Sequence, residues 1–425
     1  MKVIVIGGGW SGCTAAITAK KAGAEVVLYE KTDMLLGLGN VGGIMRNNGR
    51  YTAAEEIIAL GAGDFIHLTD ENSKHKNISF PGHKNAWLCD VNKIEPAVRR
   101  YLKAMGIEVN MITRVVDVKK EENKIKGIYL SDKEYIEADA FIETTGSAGP
   151  MNNCVKYGNG CAMCVLRCPA FGGRVSISSK AGIEDLHGER ENGVYGAFSG
   201  SCKLAKGSLA ENIIKQLDEK GVVVVKVPEE DVNLDKLKQK VCQQYALKEY
   251  AENLVLIDTG DVKLMTPFYP LEKLRKIEGF ENAKYVDPYA GGIGNSVRYL
   301  SIAPREDSMK VLNLDNLFCA GEKAGLFIGH TEAMITGALA GHNAVKSYLE
   351  LPLLVLPNSL AVGDIIASEN ETMKTKEGRR TRFTFAGATY FKRMQELGLY
   401  TLDIDEIKNK VENLNLTNIF NTKLI

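Results

Sequence analysis

The first thirty residues constrain the fold more than any other part of the chain. Val3-Ile-Val-Ile6 is a short run of β-branched residues, and Gly7, Gly9 and Gly12 follow with the spacing G-x-G-x-x-G. A helix is predicted from about Ser11 to Ala22. A second apolar strand, Glu25 to Tyr29, ends at Glu30. Each glycine has its own task in such a turn. Gly7 permits the tight bend, Gly9 lets a pyrophosphate approach the backbone, and Gly12 lets the helix pack on the strand. The helix N-terminus then faces the phosphates with unpaired N–H groups. Glu30 lies where a carboxylate can accept hydrogen bonds from a ribose. G-x-G-x-x-G alone also occurs in turns without a ligand. Strand, motif, helix, strand and acid in that order mark a dinucleotide site.

Later segments extend this start into an α/β protein. Gly37 to Gly49 is a second glycine-rich loop, and its Gly42 and Gly43 are placed to pass close to a cofactor. Gly106 to Val118 reads as a strand pair, Lys124 to Tyr129 with Tyr135 to Ala138 as a hairpin, and Ala140 to Gly146 as a strand ending in Thr-Gly. This succession resembles flavoproteins with two dinucleotide-binding domains, in which Thr-Gly closes the first half of the FAD domain. Asn316 to Glu322 is a further short strand that runs into Gly321 and Glu322. A helix from about Thr331 to Leu349 follows, with Thr331 and Glu332 as its cap. A helix N-terminus aimed at the flavin N1/O2 edge would stabilise the anionic reduced ring. An ordinary strand–helix unit is the plainer reading of this segment taken alone. The cofactor-binding candidates are Gly7, Gly9, Gly12, Glu30, Gly42, Gly43, Val116, Gly146, Gly321, Glu322 and Thr331. By position, Arg298 and His330 are candidates to face the flavin or its substrate. Trp10 either stacks near the cofactor or simply packs. No second G-x-G-x-x-G occurs, so no tightly bound nicotinamide domain is expected.

Gly279 to Val286, Asn295 to Leu300 and the run NLFCAGEKAGLFIGHTEAMITGALAGHNA (Asn316 to Ala344) resemble the glucose-inhibited division protein A superfamily of FAD proteins. The pattern follows most the folate- and FAD-dependent tRNA uridine-5-methyltransferases, whose P-x-T-x-x-G segment resembles Leu356 to Gly363 here. The resemblance covers most of the chain apart from about residues 151–270. It implies FAD binding at Gly7, Gly9, Gly12, Glu30 and Gly321. Where the methyltransferases carry a catalytic cysteine, this chain has Gly42-Gly-Ile-Met-Arg-Asn-Asn-Gly49. Methyl transfer is therefore not implied.

The segment outside the resemblance is rich in sulfur. Cys154, Cys161, Cys164 and Cys168 are closely spaced, and Pro169 follows the last. The last three keep the C-x2-C-x3-C-P spacing of a ferredoxin. Three readings compete. One is a [4Fe–4S] cluster on these four thiolates, with Cys202 as a replacement for Cys154. The second is a redox dithiol, Cys161 and Cys164, reacting beside the flavin. The third is a structural zinc site. Arg167 and Arg174 flank the cysteines and would lower their pKa or bind an anionic substrate; two surface arginines are an equally plain reading. Flavin beside thiolates predicts an FAD-dependent oxidoreductase that passes electrons between flavin and a cysteine-based centre, with a small-molecule or protein redox partner. The alternatives are a flavin-dependent RNA (uridine)-modifying enzyme and a non-enzymatic flavin-binding protein.

The predicted fold class is α/β, an FAD-binding, glutathione-reductase-like Rossmann domain with an inserted second domain. Residues 1–150 and 276–350 form the two halves of the FAD domain, 151–275 the inserted substrate domain and 351–425 a C-terminal tail. Within the insert, Ser208 to Lys220 reads as a helix, Val222 to Val227 as a strand and Leu234 to Glu252 as a long amphipathic helix. Lys374 to Arg382 is the only dense basic run, a contact for RNA phosphates or a solvated loop. With 53 basic and 53 acidic residues, the composition argues against a broad nucleic-acid surface. No apolar run reaches the roughly 18 residues of a membrane span. Met1 leads straight into a strand, so no signal peptide and a cytoplasmic location are expected. A homo-oligomer is also expected.

Overall fold

The computed structural model describes residues 1–37, 39, 42–147, 168–189, 197–198, 202–239, 243–266, 269–286, 297–298 and 300–425. Cys154, Cys161, Cys164 and Arg167 lie outside the described residues, and Cys168 opens the short helix Cys168–Phe171.

The chain begins with β1 (Lys2–Ile6), α1 (Trp10–Lys21) and β2 (Glu25–Tyr29). Then come β3 (Glu108–Asn110) and β4 (Ala140–Glu143). A second sheet supplies β5 (Cys202–Leu204), β6 (Val222–Lys226), β7 (Asn253–Thr259) and β8 (Asp261–Leu264). The chain returns to the first sheet with β9 (Leu317–Cys319) and then forms α2 (His330–Tyr348). The first sheet has the order β9-β4-β1-β2-β3, and every pairing in it is parallel. Parallel strands are covered on both faces, which is why β1, β2 and β4 are continuous apolar runs. α1 lies so close to the sheet that a Cβ on Gly12 would stand 1.9 Å from the Gly7 carbonyl oxygen. α2 crosses α1 as closely: a Cβ on Gly337 or Gly341 would meet the carbonyls of Ser11 and Ala15. The fold class expected from the sequence is the one found, a Rossmann-like α/β domain with an inserted second domain.

The inserted sheet is antiparallel, in the order β5-β8-β7-β6. It has a core of its own, in which Leu204, Leu217, Leu254, Leu256, Val262, Leu264 and Phe280 are fully buried. Burying each such side chain stabilises by about 1.5–3 kcal/mol. The helix Glu211–Lys220 closes this core and ends at Gly221, whose φ of +73° makes a left-handed cap.

Several expectations are corrected. Gly106 to Val118 is not a strand pair. β3 belongs to the parallel sheet and Val115–Glu121 to a separate antiparallel sheet. Between them Ile112 (φ +57°) donates its N–H to Thr32 and Thr113 donates to Glu30, so the chain is bent onto the end of β2. Leu234 to Glu252 is not one helix. Among the described residues it forms the 3-10 turns Leu234–Gln239 and Gln243–Tyr245 and the short helix Glu249–Glu252. Tertiary packing overrides the helical pattern. The Gln244 carbonyl bonds His83 Nε2 at 3.0 Å, and Leu237, Tyr245 and Tyr250 are all buried in one small core. The helix expected from Ser208 starts at Glu211. Residues 351–425 pack against the first domain: Tyr390, Val411 and Phe420 are part of its core. The buried Glu56 carboxylate accepts the N–H groups of Ala361 and Val362 at the start of the helix Ala361–Met373. No helix among the described residues is long and apolar enough to cross a membrane.

Candidate cofactor cavity

The C-terminal ends of β1, β2, β4 and β9 open into a cavity of about 350 Å³. That is the position where open α/β sheets bind ligands, and the volume is within the usual range for ligand pockets.

One end of the cavity is built by the opening motif. Gly7 (φ +107°) bends under the Thr144 carbonyl, and Thr144 Oγ1 donates to the Gly7 carbonyl at 2.6 Å. Gly9 lines the cavity, and a Cβ there would meet nothing within 4 Å. No side chain caps α1, so its first turn is open to a ligand. Glu30 Oε2 accepts the Gly8 N–H at 2.7 Å, and Oε1 accepts the Thr32 N–H and hydroxyl at 2.8 and 2.9 Å. These bonds fix the carboxylate and leave it acceptor capacity. Gly146, Gly321 and Glu322 complete this end, with Arg114 and Arg174 at its rim.

The other end is assembled from distant segments. Gly39, Gly42, Ile44, Arg50, Lys203, Gln244, Tyr245, Lys263 and His330 line it. His330 Nε2 bonds the Gly39 carbonyl at 2.8 Å and meets Trp10 edge-on at 5.0 Å. Lys263 Nζ donates to the Gly42 carbonyl at 2.9 Å. α2 starts here with Gly329 as its N-cap and no side-chain cap. Glu332 does not cap it, because its carboxylate accepts the Phe385 N–H at 2.8 Å and pairs with Arg50 at 3.4 Å. Two buried polar atoms of the wall, Trp10 Nε1 and Gln244 Oε1, have no partner among the described residues. Unsatisfied buried polar atoms call for a ligand or water. The open Gly9, the uncapped α1 and these two atoms fit a long dinucleotide.

Of the residues singled out from the sequence, Gly7, Gly9, Glu30, Gly42, Gly146, Gly321, Glu322, Trp10 and His330 line the cavity. Gly12 lies behind it, where α1 packs on β1. Gly43 packs against Thr259 and Val91 instead. Val115 lines the cavity, whereas its neighbour Val116, at a register shift of the strand, is not among the lining residues. Thr331 is buried in the first turn of α2, off the wall. Arg298 lies in the strand Val297–Arg298. Sequence reasoning missed Arg50, Lys203, Gln244, Tyr245 and Lys263, which no local pattern sets apart.

Cys13, Cys89, Cys202 and Cys319 are all buried. Burial pushes the Cys89 and Cys319 thiols up to about 12 and Cys13 higher still, so they are not thiolates at neutral pH. Cys202 belongs to the apolar core of the inserted sheet, which does not suit it to replace Cys154. Among the described residues, no three potential metal ligands come together. The basic run is partly internal. Arg382 is buried and donates to the carbonyls of Arg379, Thr381 and Glu189, and Lys374 pairs with Glu371.

The family described as glucose inhibited division protein A matches residues 2–258 and 262–352. The tRNA uridine 5-carboxymethylaminomethyl modification enzyme MnmG of Karelsulcia muelleri (strain GWSS) is 23% identical over 427 residues, covering 86% of this chain and 66% of that protein. The chain thus spans less than two thirds of that relative's own length. The enzyme of the same name from Chlorobaculum tepidum is 34% identical over 109 residues, 25% of this chain and 17% of the relative. The structure of Aquifex aeolicus GidA in its form II crystal superposes with a TM-score of 0.65 at 14% identity, covering 97% of this chain and 76% of that one. This last likeness is one of fold.

Proposed function

The chain belongs to the glucose inhibited division protein A family, and on that premise we propose that it is an FAD-dependent enzyme that modifies uridine in RNA. The observation that carries this reading is one continuous cavity, which joins the dinucleotide motif to a wall contributed by the inserted sheet. The relatives named as tRNA uridine modification enzymes support the substrate class.

Gly9 and the first turn of α1 bind the pyrophosphate, where N–H groups and the helix dipole favour anions. Glu30, held by Gly8 and Thr32, orients the adenosine ribose. Trp10 Nε1 donates and Gln244 Oε1 accepts at the far end, and the N-terminus of α2 favours negative charge beside it. When bound, FAD supplies the redox chemistry that amino-acid side chains lack. In this reading residues 1–150 and 276–350 hold the cofactor, and 151–275 face the substrate and exclude water.

Nothing in the family match or in the relatives' names points to an iron–sulfur centre. The electron-transfer reading rests on the spacing of Cys154, Cys161, Cys164 and Cys168 alone. Two measurements separate the readings. Mass spectrometry of nucleosides from cells lacking the chain should show loss of one modified uridine, restored by the wild-type chain. Unchanged RNA, together with iron and acid-labile sulfide in proportion to flavin after anaerobic purification, would replace the RNA reading with electron transfer through the cysteines.

A further inference from the structure

The inserted sheet places two cations side by side on the cavity wall. In the antiparallel pair of β5 and β8, Lys203 stands directly opposite Lys263. The neighbours Cys202, Leu204, Val262 and Leu264 are buried in the sheet's own core. Alternation along the strands therefore turns both lysines to the other face, where they line the cavity. Like charges directly opposite each other destabilise a sheet, so the pair has a cost that needs an explanation. Lys263 is 7% exposed and its Nζ holds the Gly42 carbonyl. The Lys203 side chain is 19% exposed, with Asp261 3.9 Å from its ammonium, beyond hydrogen-bond distance.

The charges lining the cavity are unevenly divided. Among the described residues its carboxylates are Glu30 and Glu322, both at the motif end, where Lys31, Arg114 and Arg174 also line it. Glu30 is held by Gly8 and Thr32, and Glu322 accepts the Ser147 hydroxyl at 2.8 Å. The far end has the two ammonium groups, together with Arg50, which pairs with Glu332. Burial holds the Lys203 ammonium below its usual pKa, with Asp261 and Asp90 opposing that shift only in part. An anion beside it would reverse the effect.

We propose that Lys203 and Lys263 form a phosphate subsite at the far end of the cavity, which takes a phosphate of the RNA substrate. The substrate class rests on the RNA reading above. The FAD pyrophosphate is assigned to Gly9 and α1, so this pair serves a second anion. Lysine binds phosphate as a compact point charge, and a phosphate dianion gains more from two ammonium groups than a carboxylate monoanion does.

The test titrates FAD-loaded protein with a uridine-containing RNA hairpin, uridine 5′-monophosphate, uridine, inorganic phosphate and acetate. Binding is followed by the change in flavin absorbance and by competition. The monophosphate should bind at least about tenfold tighter than uridine, as charge-assisted contacts imply. Inorganic phosphate should compete better than acetate. Lys203→Gln should abolish the advantage of the monophosphate, and Lys203→Arg should restore part of it. Lys263→Gln also removes the bond to Gly42, so it is compared only where its thermal unfolding matches wild type. Equal binding of uridine and its monophosphate, no phosphate effect in the wild type, stronger competition by acetate, or an unchanged advantage in Lys203→Gln would each overturn the subsite. If phosphate and the monophosphate bind through Lys203 but the hairpin does not bind, the subsite stands and the RNA reading falls.

Discussion

The two ends of the cavity are built in opposite ways. The motif end comes largely from a single stretch, Gly7 to Glu30, in which a strand, a turn and a helix follow one another in sequence. The far end brings together Gly42, Lys203, Gln244, Lys263 and His330, which are separated by up to nearly three hundred residues. At the motif end the proposed binding is mostly by backbone, which is why glycine is needed there, with the Glu30 carboxylate as its main side chain. At the far end side chains form the wall, and their positions depend on how the inserted sheet packs against Gly42 and Gly43. A local motif is robust in its geometry but generic in what it binds. An assembled wall can be specific, and it fails if any one of its supports moves.

The largest effect should come from removing the close approach on which the motif end depends. Gly12→Val would drive a side chain into the Gly7 carbonyl, 1.9 Å from the Cβ position. Overpacking of this kind costs about 1–3 kcal/mol or more. Flavin retained in soluble protein and the melting temperature should both drop. A variant that melts and binds flavin like wild type would break the claim that α1 must touch β1.

The next effect is an acid response of α2, whose first turn lines the far end. His342 of α2 is buried edge-on against Phe420, and burial lowers its pKa from 6.5 to about 4. A depressed folded pKa gives stability that is present above pH 6.5 and is lost as pH falls through about 4. At about 1.4 kcal/mol per unit, the loss is at most about 3.5 kcal/mol. Denaturant titrations at pH 7 and pH 4 should show a larger drop for wild type than for His342→Leu. Equal drops would remove His342 as the cause.

Gly9→Ala separates binding from folding at the motif end. Its Cβ meets no protein atom within 4 Å but projects into the cavity. Thermal stability should stay within about 1 kcal/mol of wild type, since an open site imposes no overpacking. FAD affinity should fall about tenfold or more, because a side chain there keeps the pyrophosphate from the backbone. Unfolding in step with the loss of FAD would erase the contrast with Gly12. The smallest effect belongs to the far end. Trp10→Phe removes one unpartnered donor, and FAD affinity should weaken by about 1 kcal/mol, the worth of a single hydrogen bond. No change would mean that Trp10 only packs.

The same contrast explains what the sequence disclosed. The strand–turn–helix order, the glycine spacing and Glu30 are short-range features, and Gly7, Gly9 and Glu30, read from them, line the motif end. Gly43, Val116 and Thr331 were placed on the wall by proximity in sequence. Val116 sits at a register shift beside the lining Val115, Gly43 packs against Thr259 and Val91, and Thr331 is buried in the first turn of α2. Lys203 and Lys263 look like ordinary strand residues until β5 and β8 are paired. Gln244 lies in a stretch with a helical pattern, and it reaches the cavity because that helix does not form as one piece.

Binding of FAD fragments to flavin-free protein tests most directly whether one cofactor spans both ends. Calorimetry with FAD, ADP and riboflavin compares the whole ligand with its two halves. FAD should bind at least about a hundredfold tighter than either fragment, because joining two sites adds effective concentration. ADP binding as tightly as FAD would contradict the account, since the far end would then contribute nothing to the cofactor.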